Sequence, residues 1–111
     1  MKDIETAPGR TNALKTLGLA ARGGKLVFGC DACCDALKQG RSRLIVMASG
    51  ISGNTSKRLT DRCAFYGARL LDAGCGAAEL GRALGRRTDV AAVAVTDPSL
   101  AAAVESAFDK Q

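Results

Sequence analysis

The chain has 111 residues and a formal net charge of +5, from 16 Lys and Arg against 11 Asp and Glu; 47% of it is hydrophobic, 4% is aromatic and His is absent. That length supports one compact domain and leaves no room for a large multi-domain enzyme. Without His, Ser-His-Asp and Cys-His chemistry is excluded, and so is the commonest metal ligand.

Residues 1–10 are polar around Pro8 and Gly9 and show no apolar period, so a flexible N-terminal tail is expected there, followed by a single domain over residues 11–111. Thr11 or Asn12 is placed to cap a first helix with Leu14, Leu17 and Ala21 at helical spacing, ended by Gly23-Gly24. Lys25 to Phe28 reads as a short strand. Gly29 opens a second helix with Cys33 and Leu37 on one face and Gly40 as its stop, and Leu44 to Ala48 reads as a buried strand. Asn54 or Thr55 is placed to cap a third helix with Leu59, Cys63 and Tyr66 inward and Gly67 as its stop. Ala68 to Leu71 is a third strand, Ala77 to Leu84 a short helix, Val90 to Val95 a further strand, and Asp97-Pro98 starts a last helix through Phe108. Such alternation predicts an α/β protein, a three-layer α/β/α sandwich with its sheet covered on both faces.

Charge is unevenly placed: residues 1–87 carry 15 basic and 7 acidic side chains, residues 88–111 carry 1 and 4. The body of the domain therefore suits a polyanion. Five Cys, an odd number, with no signal-type leader and no apolar run near the ~20 residues of a membrane span, predict a protein of the reducing cytoplasm with no membrane partner.

Three constellations could carry chemistry. Cys30-Asp31-Ala32-Cys33-Cys34 has a two-residue Cys spacing usable by zinc or an iron–sulfur cluster, but a closed site wants four soft ligands and no second close pair exists. Buried, reduced thiols are the plainer account, and no metal site is expected. Cys30, near the start of a helix, is expected to have its thiolate favoured by the helix dipole.

Leu70-Leu71-Asp72-Ala73-Gly74-Cys75-Gly76 looks like the first motif of S-adenosylmethionine-dependent methyltransferases, with Asp97 near where such folds place a ribose-binding acid. Only 14 residues follow Asp97, too few to complete such a fold. Plain turn glycines are the competing account.

The third constellation is basic: Arg22 and Lys25, then Lys38, Arg41 and Arg43, then Arg86-Arg87, mostly at element ends, with Arg58 and Arg62 on the third helix. Solvated helix faces explain such residues. Gathered at one end of a sandwich they would form a phosphate-contacting rim, with the amides at a helix start facing the ligand. Scarce aromatics disfavour stacking of unpaired bases, which leaves a shaped, structured RNA.

From about Thr11 to Leu100 the chain resembles the ribosomal L-seven-Ae/L-thirty-e family of kink-turn RNA-binding proteins, most closely its bacterial YlxQ-like branch. The resemblance is carried by Leu17-Gly18-Leu19-Ala20-Ala21-Arg22-Gly23-Gly24-Lys25-Leu26-Val27 and Asn54-Thr55-Ser56-Lys57-Arg58-Leu59-Thr60-Asp61-Arg62-Cys63, with Glu79-Leu80-Gly81-Arg82-Ala83-Leu84-Gly85 and Ala94-Val95-Thr96-Asp97. It implies a mixed sheet of about four strands and a noncatalytic, ribonucleoprotein-type role without cofactor or small-molecule substrate. Its partner would be structured RNA, ribosomal RNA with a kink-turn included.

The family's Gly-x-Asn-Glu-x-x-Lys pattern begins here at Gly29, runs through Cys30, and has Asp31 for Asn, Ala32 for Glu and Asp35 for Lys. Asp35 puts a negative charge where the pattern has a phosphate-facing cation, so either Lys25, Lys38 and Arg41 compensate or the RNA preference differs from the family's. A second loop maps to Arg86-Arg87-Thr88-Asp89-Val90, with the arginines on phosphate and Val90 against a base. The resemblance also leaves open a protein-interaction or ribosome-associated module that kept the fold and lost the RNA site.

Overall fold

The computed structural model describes residues 8–109. Five helices and four strands alternate: α1 (Pro8–Arg22), β1 (Leu26–Phe28), α2 (Cys30–Lys38), β2 (Leu44–Met47), α3 (Gly53–Tyr66), β3 (Arg69–Asp72), α4 (Ala77–Ala83), β4 (Ala92–Val95) and α5 (Pro98–Asp109). The first helix begins three residues earlier than its expected cap, because Pro8 has the fixed φ of a first helical turn and needs no amide there. Of the expected tail, residues 1–7 lie outside the described residues.

The start of α3 also differs from expectation. Ser52 is the cap: its Oγ accepts from Thr55 N at 3.2 Å, so the helix begins at Gly53 and takes in both Asn54 and Thr55. Gly67, at φ 70° and ψ 31°, closes α3 in the left-handed conformation. Asp97 caps α5 as expected, its Oδ1 accepting from Ser99 N at 2.8 Å and Leu100 N at 3.1 Å.

The sheet order is β1-β4-β2-β3, with β2 and β3 parallel and β4 antiparallel to both of its neighbours. Alternate residues of each strand go to opposite faces. Leu44, Val46, Val93 and Val95 join Leu17, Leu80 and Val104 in a core beneath α1, α4 and α5. Ile45, Ala92 and Ala94 join Cys33, Leu37, Leu59 and Cys63 in a second core beneath α2 and α3. The three-layer α/β/α sandwich with a mixed four-stranded sheet is thus present, and no described helix is long and apolar enough to cross a membrane.

Strand direction decides what meets at each end of the sheet. The carboxyl ends of β1, β2 and β3 and the amino end of β4 share one end, so α2, α3 and α4 all start there and the loop of residues 86–91 returns to it. The turns of residues 23–25, 39–43 and 96–97 share the other end.

Candidate nucleic-acid interface

At the first end, the start of α2 and the loop before β4 enclose a cleft of about 200 Å³ lined by Phe28, Gly29, Arg86, Thr88, Asp89 and Val90. These stretches lie more than fifty residues apart in sequence. The antiparallel pairing of β1 with β4 joins them, since Phe28 is opposite Val93 and Gly29 N donates to Ala92 O at 2.9 Å.

Gly29 turns the chain from β1 into α2 at φ 99° and ψ 153°, a region essentially closed to residues with a Cβ. Its carbonyl accepts from Cys33 N at 2.9 Å, and the first amides of α2 are left without intrahelical acceptors at the mouth of the cleft. On the opposite wall, Arg86 N donates to Gly81 O at 2.8 Å and Val90 N to Ala77 O at 3.0 Å, which fastens the loop to α4 at both ends. The Arg86 guanidinium lies over the Phe28 ring, 4.2 Å from its centroid. At an exposed site such a contact is worth roughly 0.5–1 kcal/mol, enough to orient a side chain.

The expected site residues divide into two groups. Gly29, Arg86, Thr88 and Val90 line the cleft; Cys30, Asp31 and Ala32 form the adjoining first turn of α2, and Arg87 is exposed on the loop. Val90 is 4% exposed and belongs to the core, so it forms a wall of the cleft and does not stand free to meet a base. It also precedes β4, which begins only at Ala92.

Lys25 and Lys38 lie elsewhere: Lys25 precedes β1 and Lys38 ends α2, so both face the other end of the sheet, together with Arg41 and Arg43. Seven residues of helix, at ~1.5 Å each, separate Lys38 from Asp31 by about 10 Å. The expected single rim of cations is therefore two clusters, because β1 and α2 each carry the chain across the whole sheet.

The cation that does reach α2 comes from α3. Arg58 Nη1 lies 2.7 Å from Asp31 Oδ1, although both side chains are largely exposed. Asp31, four residues before Asp35 in α2, holds the guanidinium above its ordinary pKa. Sequence spacing gives no hint of this pair. Gly81 is the other omission, and a glycine inside a helical pattern was its available signal: a Cβ there would collide with Thr88 O of the loop.

Burial overrides the helix dipole at Cys30. Its thiol is pushed above its ordinary pKa, chiefly by desolvation and then by Cys34, and the nearby Arg58 does not offset them. Burial pushes Cys33 up to about 12 and Cys63 up to about 11. None of the five cysteines is in a disulfide, and among the described residues no three His, Cys, Asp or Glu side chains converge to hold a metal.

Because an unfolded thiol ionises near 9.0 and these two much higher, the unfolded chain loses protons first as pH rises. Stability from this source is therefore whole below about pH 9 and falls from there toward pH 11–12. Urea midpoints at pH 8 and pH 10.5 are expected to show that fall, and a Cys33→Ala/Cys63→Ala variant should show less of it. An equal fall in the variant would assign the loss to other groups.

The methyltransferase-like reading of the Gly74 turn is not supported by the topology. Gly74 follows β3 and Asp97 follows β4, and these strands run in opposite directions, so the turn and the acid lie at opposite ends of the sheet. Both are occupied in local turns. Asp72 Oδ1 accepts from Gly74 N at 2.7 Å, and Asp97 caps α5.

Residues 11–105 match the family model described as Ribosomal protein L7Ae/L30e/S12e/Gadd45 family. The chain is 36% identical over 93 residues to the RNA-binding protein YlxQ of Bacillus subtilis, an alignment covering 84% of this chain and 91% of that protein. It is 30% identical over 57 residues to the RNA-binding protein YlxQ of Enterococcus faecium, covering 51% of this chain and 55% of that one. Among solved structures, a Bacillus halodurans protein of unknown function superposes with a TM-score of 0.82 at 29% identity, over 87% of this chain and 96% of that chain. A Giardia lamblia 15.5kD RNA binding protein superposes with a TM-score of 0.78 at 16% identity, over 98% and 96%, a likeness of fold.

Proposed function

The chain belongs to the ribosomal protein L7Ae/L30e/S12e/Gadd45 family, and on that footing we infer that it is a noncatalytic RNA-binding protein that holds a structured RNA across the cleft between Gly29 and residues 86–91. The observation that carries the placement is the convergence of the Gly29 turn, the open first amides of α2 and the Arg86-Arg87 loop on one cleft. Amides at a helix start and flanking arginines suit phosphate and acceptor-rich base edges. A cleft between two walls suits a bent RNA better than a straight duplex, which supports a kink-turn as the ligand. Five cysteines with no disulfide among them suit the reducing cytoplasm as its place of work.

The test is equilibrium binding to a kink-turn RNA and to a straight duplex of equal length over a range of salt. Preference for the bent RNA is expected, with log affinity falling linearly in log salt by about 0.7–0.9 per phosphate contacted. Equal binding to both RNAs would overturn the kink-turn, and binding to neither would overturn the RNA reading. Asp35→Lys is expected to tighten binding several-fold and to steepen the salt slope by about 1, as one added phosphate contact requires. An unchanged constant would remove that turn of α2 from the interface.

A further inference from the structure

The flank formed by α1 and α4 is strongly basic and lies outside the cleft. Arg22, in the last turn of α1, and Arg82, in the last turn of α4, line a second, open cleft of about 280 Å³ with Gly18 and Gly85. Gly18 brings the two helices together, since a Cβ on it would sit 3.3 Å from Ala83 O. Arg86 and Arg87 follow Gly85 directly and carry the positive charge onto the loop. At the other end, Gly23-Gly24 connects Arg22 to Lys25. The flank thus joins the two clusters of cations that the sheet separates.

These arginines are not engaged in holding the fold together. The ion pairs among the described residues use Lys57, Arg58 and Arg69, whereas Arg22, Arg82 and Arg87 have no carboxylate partner there and Arg86 rests on Phe28. Glu79, three residues before Arg82, and Asp89, two after Arg87, enter none of the ion pairs among the described residues. Several like charges without counter-ions along one track attract a polyanion. The lining of the second cleft contains no aromatic side chain of the kind on which protein interfaces centre.

We propose that this flank is a second RNA contact, in which Arg22 and Arg82 hold the phosphate backbone of a stem that leaves the first cleft. This rests on RNA binding at that cleft. The contact is to backbone, so it adds affinity and salt dependence without sequence preference.

The experiment uses the full chain and two versions of one kink-turn RNA, with long and with truncated flanking stems. The Arg22→Gln/Arg82→Gln variant is expected to lose about 2 units of salt slope on the long-stemmed RNA, one per lost phosphate contact, and to bind the truncated RNA as the unaltered protein does. Arg22→Lys/Arg82→Lys, which keeps both charges, should retain the slope. An unchanged slope on long stems, or an equal loss on both RNAs, would overturn the proposal. So would a loss confined to polyglutamate, which would assign the flank to an acidic protein. Failure of the unaltered protein to bind either RNA would instead overturn the RNA reading and, with it, this contact.

Discussion

Gly29→Ala is expected to destabilise the domain by about 1–3 kcal/mol, the cost of holding a residue with a Cβ where only glycine is at ease. For a domain near this size each kcal/mol lowers Tm by roughly 4–8 °C. The cause is backbone conformation and not crowding, because a Cβ on Gly29 would meet nothing within 4 Å. Its φ of 99° and ψ of 153° also lie outside the left-handed helical basin that Asn tolerates. Gly29→Asn should therefore do as much damage as Gly29→Ala. Gly67 is at φ 70° and ψ 31°, inside that basin, so Gly67→Asn should cost well under 1 kcal/mol.

Relief of the strain at Gly29 would come by rotating the peptide that links β1 to α2. That rotation works against the Gly29 N bond to Ala92 O and swings the first amides of α2 away from the cleft. Affinity for the bent RNA is expected to fall in Gly29→Ala at temperatures where it is fully folded. Thermal unfolding and RNA binding measured on the same samples check both parts, and wild-type values for both would contradict the assigned geometry.

The local half of the structure was legible in the sequence because its signals are local. Apolar spacing and the glycines at 23, 40 and 67 marked the helices and their ends, and Asp97-Pro98 marked the last cap. The cap of α3 slipped: Ser52, two residues before the nearer expected candidate, takes the place of Asn54 or Thr55 because its Oγ reaches an amide three residues on. Strand direction carries no such signal. Alternation along β1 and β4 reads the same whether they pair parallel or antiparallel, yet that choice sets Gly29, and not Lys25, beside the loop that precedes β4. The Arg58 to Asp31 pair and the Phe28 to Arg86 contact join residues from different elements, so periodicity could not place them. Cys30 shows the same limit in its chemistry: the helix start was visible, but the packing that desolvates the thiol was not.

Gly81→Ala tests the other wall of the cleft, and here two effects of opposite sign compete. Alanine is the better helix former by about 1 kcal/mol, which alone would stabilise α4. Against it, the new Cβ would collide with Thr88 O, a backbone atom that cannot rotate aside as a side-chain tip would. The loop is fastened on either side by Arg86 N to Gly81 O and Val90 N to Ala77 O, so moving Thr88 strains or breaks those bonds as well. Overpacking of this kind costs about 1–3 kcal/mol and a lost hydrogen bond about 1 kcal/mol more, so the collision prevails by about 1–3 kcal/mol net. Gly18→Ala provides the comparison: its Cβ would stand 3.3 Å from Ala83 O, a contact that a few tenths of an ångström relieve, so the helix gain should roughly cancel the cost. The two variants should also differ in function. In Gly81→Ala the amide resonances of Thr88, Asp89 and Val90 should shift and affinity for the bent RNA should drop, whereas Gly18→Ala should leave those resonances in place. A Gly81→Ala protein as stable as the unaltered one, with an undisturbed loop, would mean that α4 does not set the position of the cleft wall.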